Sequence, residues 1–224
     1  MYTGGPRNDQ YLELLGTDTL VTLTAPNGQY RAYTMEMMVD VMLTEVITTN
    51  TLAVPIIGDD DGLGWFEADT PAVTADREMP VRFSSKRGAT TKKSGDGTLV
   101  LGERTVLFGK DNGTNVYAWQ DGVALGKLTA QADWTATQAA DAILVLTTFG
   151  FGTGAKLRLY EFWLKLNGTV IIHWKPKAEM MDLATPRLVD ASAFSNDGLL
   201  SGTAQGNEDV AYWIRSAWNT VEAP

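Results

Sequence analysis

Few residues in this chain are of the types that carry out chemistry. Glu36 and Asp40 lie four positions apart and share a face if the backbone is extended. Two carboxylates facing one cleft are the usual machinery of glycoside hydrolysis, one as acid and the other as nucleophile or base. Here the position between them is Met38, so no third carboxylate completes a run, and the pair reads as a solvated face. His173 is the single histidine, which excludes a metal site built from several histidines. It lies beside Trp174 in a strand-like stretch and reads as structural. There is no cysteine, hence no disulfide, thiol nucleophile or thiolate metal site. No nucleophile elbow or P-loop pattern occurs. Asp59, Asp60 and Asp61 form the one acidic cluster suited to a hard cation. Calcium takes about six to eight oxygens from several loops, so the cluster reads first as a solvated loop, with Ca²⁺ as the candidate ion if it holds one. No cofactor is otherwise called for.

Binding is better served than catalysis. Trp65, Trp119 and Trp134 fall at strand ends or near loops, where an indole ring can stack a sugar; each taken alone reads first as a core or interface residue. Lys86, Arg87, Lys92 and Lys93 form a local basic patch in a chain of net charge −9, and this patch suits an acidic neighbouring subunit. Tyr212, Trp213 and Trp218 place aromatic side chains near the C-terminal end, as candidates for partner contact. The acidic balance disfavours nucleic acid as a ligand. No apolar run approaches the ~20 residues of a membrane-spanning helix, and the N-terminal residues lack the basic and apolar segments of a signal peptide.

These residues must be positioned by strands. Residues 156–166 and 169–174 are rich in aromatic and branched side chains and flank Asn167-Gly168, the favoured dipeptide of a type I′ hairpin turn. Asp121-Gly122 joins a second hairpin in the same way. Residues 33–45 alternate, with Met35, Met37, Val39 and Val41 on one side; Met38 and Met42 on the other side imply that this second face is covered too, for example by a partner. Further strands are expected at 11–14, 19–24, 53–58, 64–67, 81–85, 98–101, 105–109, 115–119 and 123–128. Residues 86–97 are polar, basic and glycine-rich and are expected to form a loop, and 134–143 suit one helical turn. Strands at intervals of roughly 8–15 residues without a long helix point to an antiparallel sandwich. The chain of 224 residues is long enough for one such core.

The C-terminal part resembles a known family. Leu157, Leu159, Tyr160, Phe162, Asn167, Gly168, Trp174, Pro176, Asp190, Ser192, Asn196, Asp197 and Gly198 occur in the order in which concanavalin-A-like lectin/glucanase (laminin-G-like) domains close. Val116 to Gly126 is similar to another strand and hairpin of such domains, and the opening strands near Tyr11 and Val21 are similar to theirs. Versions of this ending are frequent in tailed-phage virion proteins. The resemblance implies an all-β, two-sheet antiparallel jelly-roll sandwich over residues 11–202, with an N-terminal arm at 1–10 and a C-terminal extension at 203–224. Glucanases of the family carry a Glu-x-Asp-x-(x)-Glu run that this chain lacks, so the expectation is a protein that is not an enzyme. The reading that follows is a phage virion structural protein, assembled in the host cytoplasm and decorating the capsid through contacts with other virion proteins or copies of itself. The alternative is a carbohydrate-binding, lectin-like tail or fibre module that adsorbs to a host surface glycan.

Overall fold

A computed structural model of the chain describes residues 11–14, 19–23, 30–46, 54–58, 64–68, 78–126, 132–141, 143–145, 150–151, 155–176, 181–182 and 187–202. The expected arm at 1–10, the extension at 203–224 and Asp59–Asp61 lie outside them. The first strands are β1 (Leu12–Leu14), β2 (Thr19–Leu23), β3 (Tyr30–Ala32), β4 (Met35–Val46), β5 (Val54–Gly58) and β6 (Gly64–Ala68). Next come β7 (Glu78–Arg87), β8 (Thr90–Lys93), β9 (Gly97–Val100), β10 (Arg104–Asp111), β11 (Val116–Gln120) and β12 (Val123–Ala124). A short helix, α1 (Ala136–Ala140), precedes β13 (Ile143–Val145), β14 (Gly150–Phe151), β15 (Ala155–Leu166) and β16 (Thr169–Trp174). The last are β17 (Met181–Asp182), β18 (Arg187–Leu188) and β19 (Gly198–Gly202).

Strands β1, β15, β4, β10, β11 and β12 follow one another in a seven-stranded sheet, with β16 also beside β15. A six-stranded sheet runs β14, β5, β6, β7, β8, with β9 also on β7. Smaller sheets join β17, β18, β19 and β2, and β13 with β3. The two large sheets face each other. Met35, Met37, Val39, Val41, Leu107, Ala118, Leu159, Phe162 and Leu164 of the first meet Phe66, Met79, Val81, Phe83 and Leu99 of the second in one buried cluster. Gly109 shows how closely they approach, since a Cβ there would lie 2.3 Å from the Phe83 ring. The fold is therefore an all-β, antiparallel, jelly-roll-like sandwich, as the spacing of strand signals implies.

Both dipeptide turns take the left-handed backbone that a type I′ turn requires: Asn167 and Gly168 have φ of 47° and 82°, Asp121 and Gly122 48° and 83°. Asn167 does more than turn. Its side-chain oxygen accepts hydrogen bonds from the backbone N–H of Tyr33 (2.8 Å) and Thr34 (3.3 Å), docking the hairpin tip on the entry to β4. The Asp190–Gly198 segment is a latch on β16. Asp190 accepts from the N–H groups of His173, Ser192 and Asn196, Asp197 accepts from the N–H of Asp190, and the Trp174 indole donates to the carbonyl of Asn196. The residues that carry the family resemblance are thus consumed by folding.

The pair Glu36 and Asp40 is not a solvated face, since Asp40 is buried against Arg104, and the loop expected at residues 86–97 also needs correction. Residues 86–97 are not a loop: β7 continues to Arg87, turns at Gly88, and returns as β8. Side-chain alternation drives Arg87 and Lys92 inward, where both are buried. The Arg87 guanidinium donates to Asp111 through Nε (3.0 Å) and Nη2 (2.7 Å). Its remaining N–H groups reach the carbonyls of Ala139, Asp141 and Tyr33. Polar composition misleads here because the charge is neutralised inside rather than solvated. The helical turn expected within 134–143 is α1, opened by a Thr135–Gln138 capping box.

Candidate functional site

The seven-stranded sheet has a second face, turned away from the core. Alternation with buried neighbours sends Trp163 of β15, Phe108 of β10, Trp119 of β11 and His173 of β16 to this face. Strand register then aligns them. His173, Trp163, Met38, Phe108, Trp119 and Ala124 lie side by side across β16, β15, β4, β10, β11 and β12. Phe108 touches Trp119 (ring centroids 5.2 Å apart) and Trp163 (5.8 Å), and Tyr117 adjoins Trp119 (6.1 Å). Strands β10 and β15 flank β4, so upright rings on them would stand about 9–10 Å apart. The observed 5.8 Å means that the two rings lean together above Met38. That explains why Met38 is fully buried on an outward position: the protein's own aromatics cover it. The rings themselves stay half-buried, with area facing out.

Charged pairs border this aromatic row on both sides. On one side Lys165, Glu36, Lys110 and Tyr117 are in register, and Glu36 takes Lys110 at 2.7 Å and Lys165 at 3.3 Å. On the other side Glu161 and Asp40 are neighbours. Glu161 meets His173 Nε2 at 2.8 Å and Lys175 at 3.4 Å. Asp40 is held by Arg104 through Nε and Nη2, at 2.8 and 2.7 Å. The Arg104 guanidinium also lies 3.7 Å above the Tyr160 ring. Tyr160 is the extra residue where the register between β15 and β4 shifts, a bulge that brings this ring to the border.

Electrostatics fix the state of two of these carboxyls. Burial acts to raise both. At Glu36 it is outweighed by the hydrogen bond and charge of Lys110, then by Lys165; at Glu161 it is outweighed by the hydrogen bond from His173 and the charge of Lys175. Each titrates below the ordinary carboxyl value and is ionised at neutral pH. A glycosidase acid needs the opposite shift. Burial raises the Tyr160 phenol, partly countered by Arg104. What the face offers is an aromatic platform with fixed charges and hydrogen-bonding groups at its edges.

Of the tryptophans singled out from sequence, Trp119 lies in this row. Trp134 is buried, with the Lys92 ammonium 4.5 Å and the Arg87 guanidinium 5.4 Å from its ring. Trp65 is on β6 of the other large sheet, paired in register with Ser84. Lys86 and Lys93 are half-buried on β7 and β8, whereas Arg87 and Lys92 face inward. Asp59, Asp60, Asp61, Tyr212, Trp213 and Trp218 lie outside the described residues. Among the described residues, no three acidic or histidine side chains are grouped to hold a metal ion. Phe108, Tyr117 and Trp163 were missed from sequence. Their signal is an aromatic residue between two buried positions of a strand, and it becomes meaningful only once the strand order is known.

The sequence matches no known protein family and no curated protein. Solved structures share parts of the architecture. A heptameric SAP-like pentraxin from Limulus polyphemus aligns over 66% of this chain and 76% of its own, at 8% identity and a TM-score of 0.39. An alginate lyase from Alteromonas sp. 272 aligns over 72% and 93%, at 13% identity and a TM-score of 0.37. The carbohydrate-binding module CBM66 from Bacillus subtilis aligns over 64% and 83%, at 9% identity and a TM-score of 0.30. Likenesses this distant carry no information on ligand or activity.

Proposed function

We propose that this protein binds carbohydrate on the outer face of the seven-stranded sheet, without transforming it. The observation that carries the reading is the in-register row Trp163–Met38–Phe108–Trp119, bordered by charged pairs. Flat, rigid rings with hydrogen-bonding groups at their margin match a sugar ring, which has apolar C–H faces and a polar rim. The row crosses several strands and is long enough to engage more than one sugar unit. The absence of catalysis is part of the proposal: Glu36 and Glu161 are locked in ion pairs and ionised, unsuited to donate a proton to a leaving group. A glycan array tests it. Wild-type protein is expected to bind a defined set of glycans, and Trp119→Ala to weaken that binding about tenfold, ~1.4 kcal/mol. Absence of any glycan binding, or binding indifferent to Trp119, would reject it.

The setting we propose is a tailed-phage particle, with glycan binding serving adsorption to the host. The resemblance of residues 155–198 to virion modules supports this. Contacts with neighbouring virion subunits through the basic segment would fall to Lys86 and Lys93, since Arg87 and Lys92 are buried. Mass spectrometry of purified capsids and tails would locate the protein; detection in neither would remove the virion setting while leaving the sugar-binding face in place.

A further inference from the structure

The charged pairs bordering the aromatic row share a polarity. In each, the cation is the more exposed partner: Lys110 against Glu36 (37% and 23%), Lys165 against Glu36 (33% and 23%), Lys175 against Glu161 (37% and 12%) and Arg104 against Asp40 (17% and 4%). Among the described residues two pairs elsewhere are reversed, with Asp96 more exposed than Arg82 and Glu45 more exposed than Lys156, while Arg87 and Asp111 are both fully buried. The carboxylates of the face therefore sit low against the sheet, and the ammonium groups stand above them. Cations are also in excess: these pairs set Lys110, Lys165, Lys175 and Arg104 against the three carboxylates Glu36, Glu161 and Asp40.

The geometry points to an anionic polysaccharide, carrying carboxylate or sulfate groups, as the ligand of this face. The inference rests on the sugar-binding reading above and names its substrate class. Lys165 and Lys175 are the contact points. Their distances to the carboxylates, 3.3 and 3.4 Å, are longer than the 2.7 Å of Lys110, so each can turn toward a ligand anion while Glu36 keeps Lys110 and Glu161 keeps His173. They project from opposite sides of the Trp163–His173 position. A chain stacked on the aromatic row would thus meet a cation on each flank. The net charge of −9 opposes a polyanion at long range, but beyond about 8 Å that repulsion is screened at physiological salt, leaving the local pattern to decide.

The test measures affinity of the full chain at physiological salt for polygalacturonate, heparin, a neutral β-glucan and polyglutamate. Polygalacturonate or heparin is expected to bind at least tenfold tighter than the neutral glucan, with affinity that falls as salt rises. Comparing these two polymers separates carboxylate from sulfate recognition. Lys165→Gln and Lys175→Gln are each expected to weaken anionic binding about fivefold and neutral binding by less, so that the anionic-over-neutral preference falls. Equal affinity for neutral and anionic glycans, without salt dependence, would overturn the inference and leave the sugar-binding reading standing. Polyglutamate binding as tightly as polygalacturonate would overturn it in favour of an acidic protein ligand. No glycan binding at all would sink both.

Discussion

Two regions of this molecule are built from ion pairs and aromatic rings and do opposite things. Between the sheets, Arg87 and Asp111 have no exposed side-chain surface. The arginine's donors are all used, and Asp111 also accepts from the Ser85 hydroxyl and the Gly113 N–H. Trp134 packs over this cluster. On the outer face, the carboxylates are paired but the cations and rings keep area toward solvent. A closed polar cluster fixes one conformation and has nothing left to offer a ligand. An open one, held from below, presents pre-positioned groups at little ordering cost. Residue type does not separate the two; closure does.

The sharpest way to break the comparison is at the closed cluster. Arg87→Met leaves the buried Asp111 carboxyl without its ion-pair partner, and is expected to cost about 3–5 kcal/mol in urea unfolding. Adding Asp111→Leu should recover part of that loss. Recovery should be incomplete, because the carbonyls of Tyr33, Ala139 and Asp141 still lack their donor. Gly109→Ala forces a methyl group into the Phe83 ring and is expected to cost about 1–3 kcal/mol by overpacking, read as a lowered Tm. Trp119→Ala should do the reverse of Arg87→Met: unfolding free energy within about 1 kcal/mol of wild type, with glycan affinity reduced.

Acid sharpens the comparison from the outer face. Glu36 and Glu161 titrate lower in the folded protein than the ordinary carboxyl value. Their contribution to stability is therefore full above the unfolded carboxyl value of about 4.3 and is lost as pH falls through the lowered folded values. Urea midpoints of wild type and Glu161→Gln should differ at pH 7, and the difference should shrink as pH falls below about 4. A difference that widens in acid would mean that the carboxyl is not stabilised as an anion.

The local elements of this fold are readable without coordinates, and the site is not. Asn167-Gly168 and Asp121-Gly122 announce their turns because few residues tolerate both backbone positions. The strand β4 shows in the alternation of Met35, Met37, Val39 and Val41. Residues 86–97 read as a loop because a buried arginine looks like a solvated one until Asp111 is placed beside it. The aromatic row escapes for a related reason. Trp163, Met38, Phe108 and Trp119 come from strands far apart in sequence, and only the pairing of β15, β4, β10 and β11 brings them into line. Met38 gives the same lesson: its apolar side chain on the outward face implied a cover, for example a partner, and the cover is Phe108 and Trp163.

The most direct test of the sugar-binding face is a glycan titration followed by NMR of the tryptophan indole N–H signals. The Trp119 and Trp163 signals should shift with saturable, matching curves. That of Trp174, buried and hydrogen-bonded to the Asn196 carbonyl, should stay in place. Saturable binding that leaves Trp119 and Trp163 unmoved would contradict the account, because the ligand would then sit somewhere other than the aromatic row.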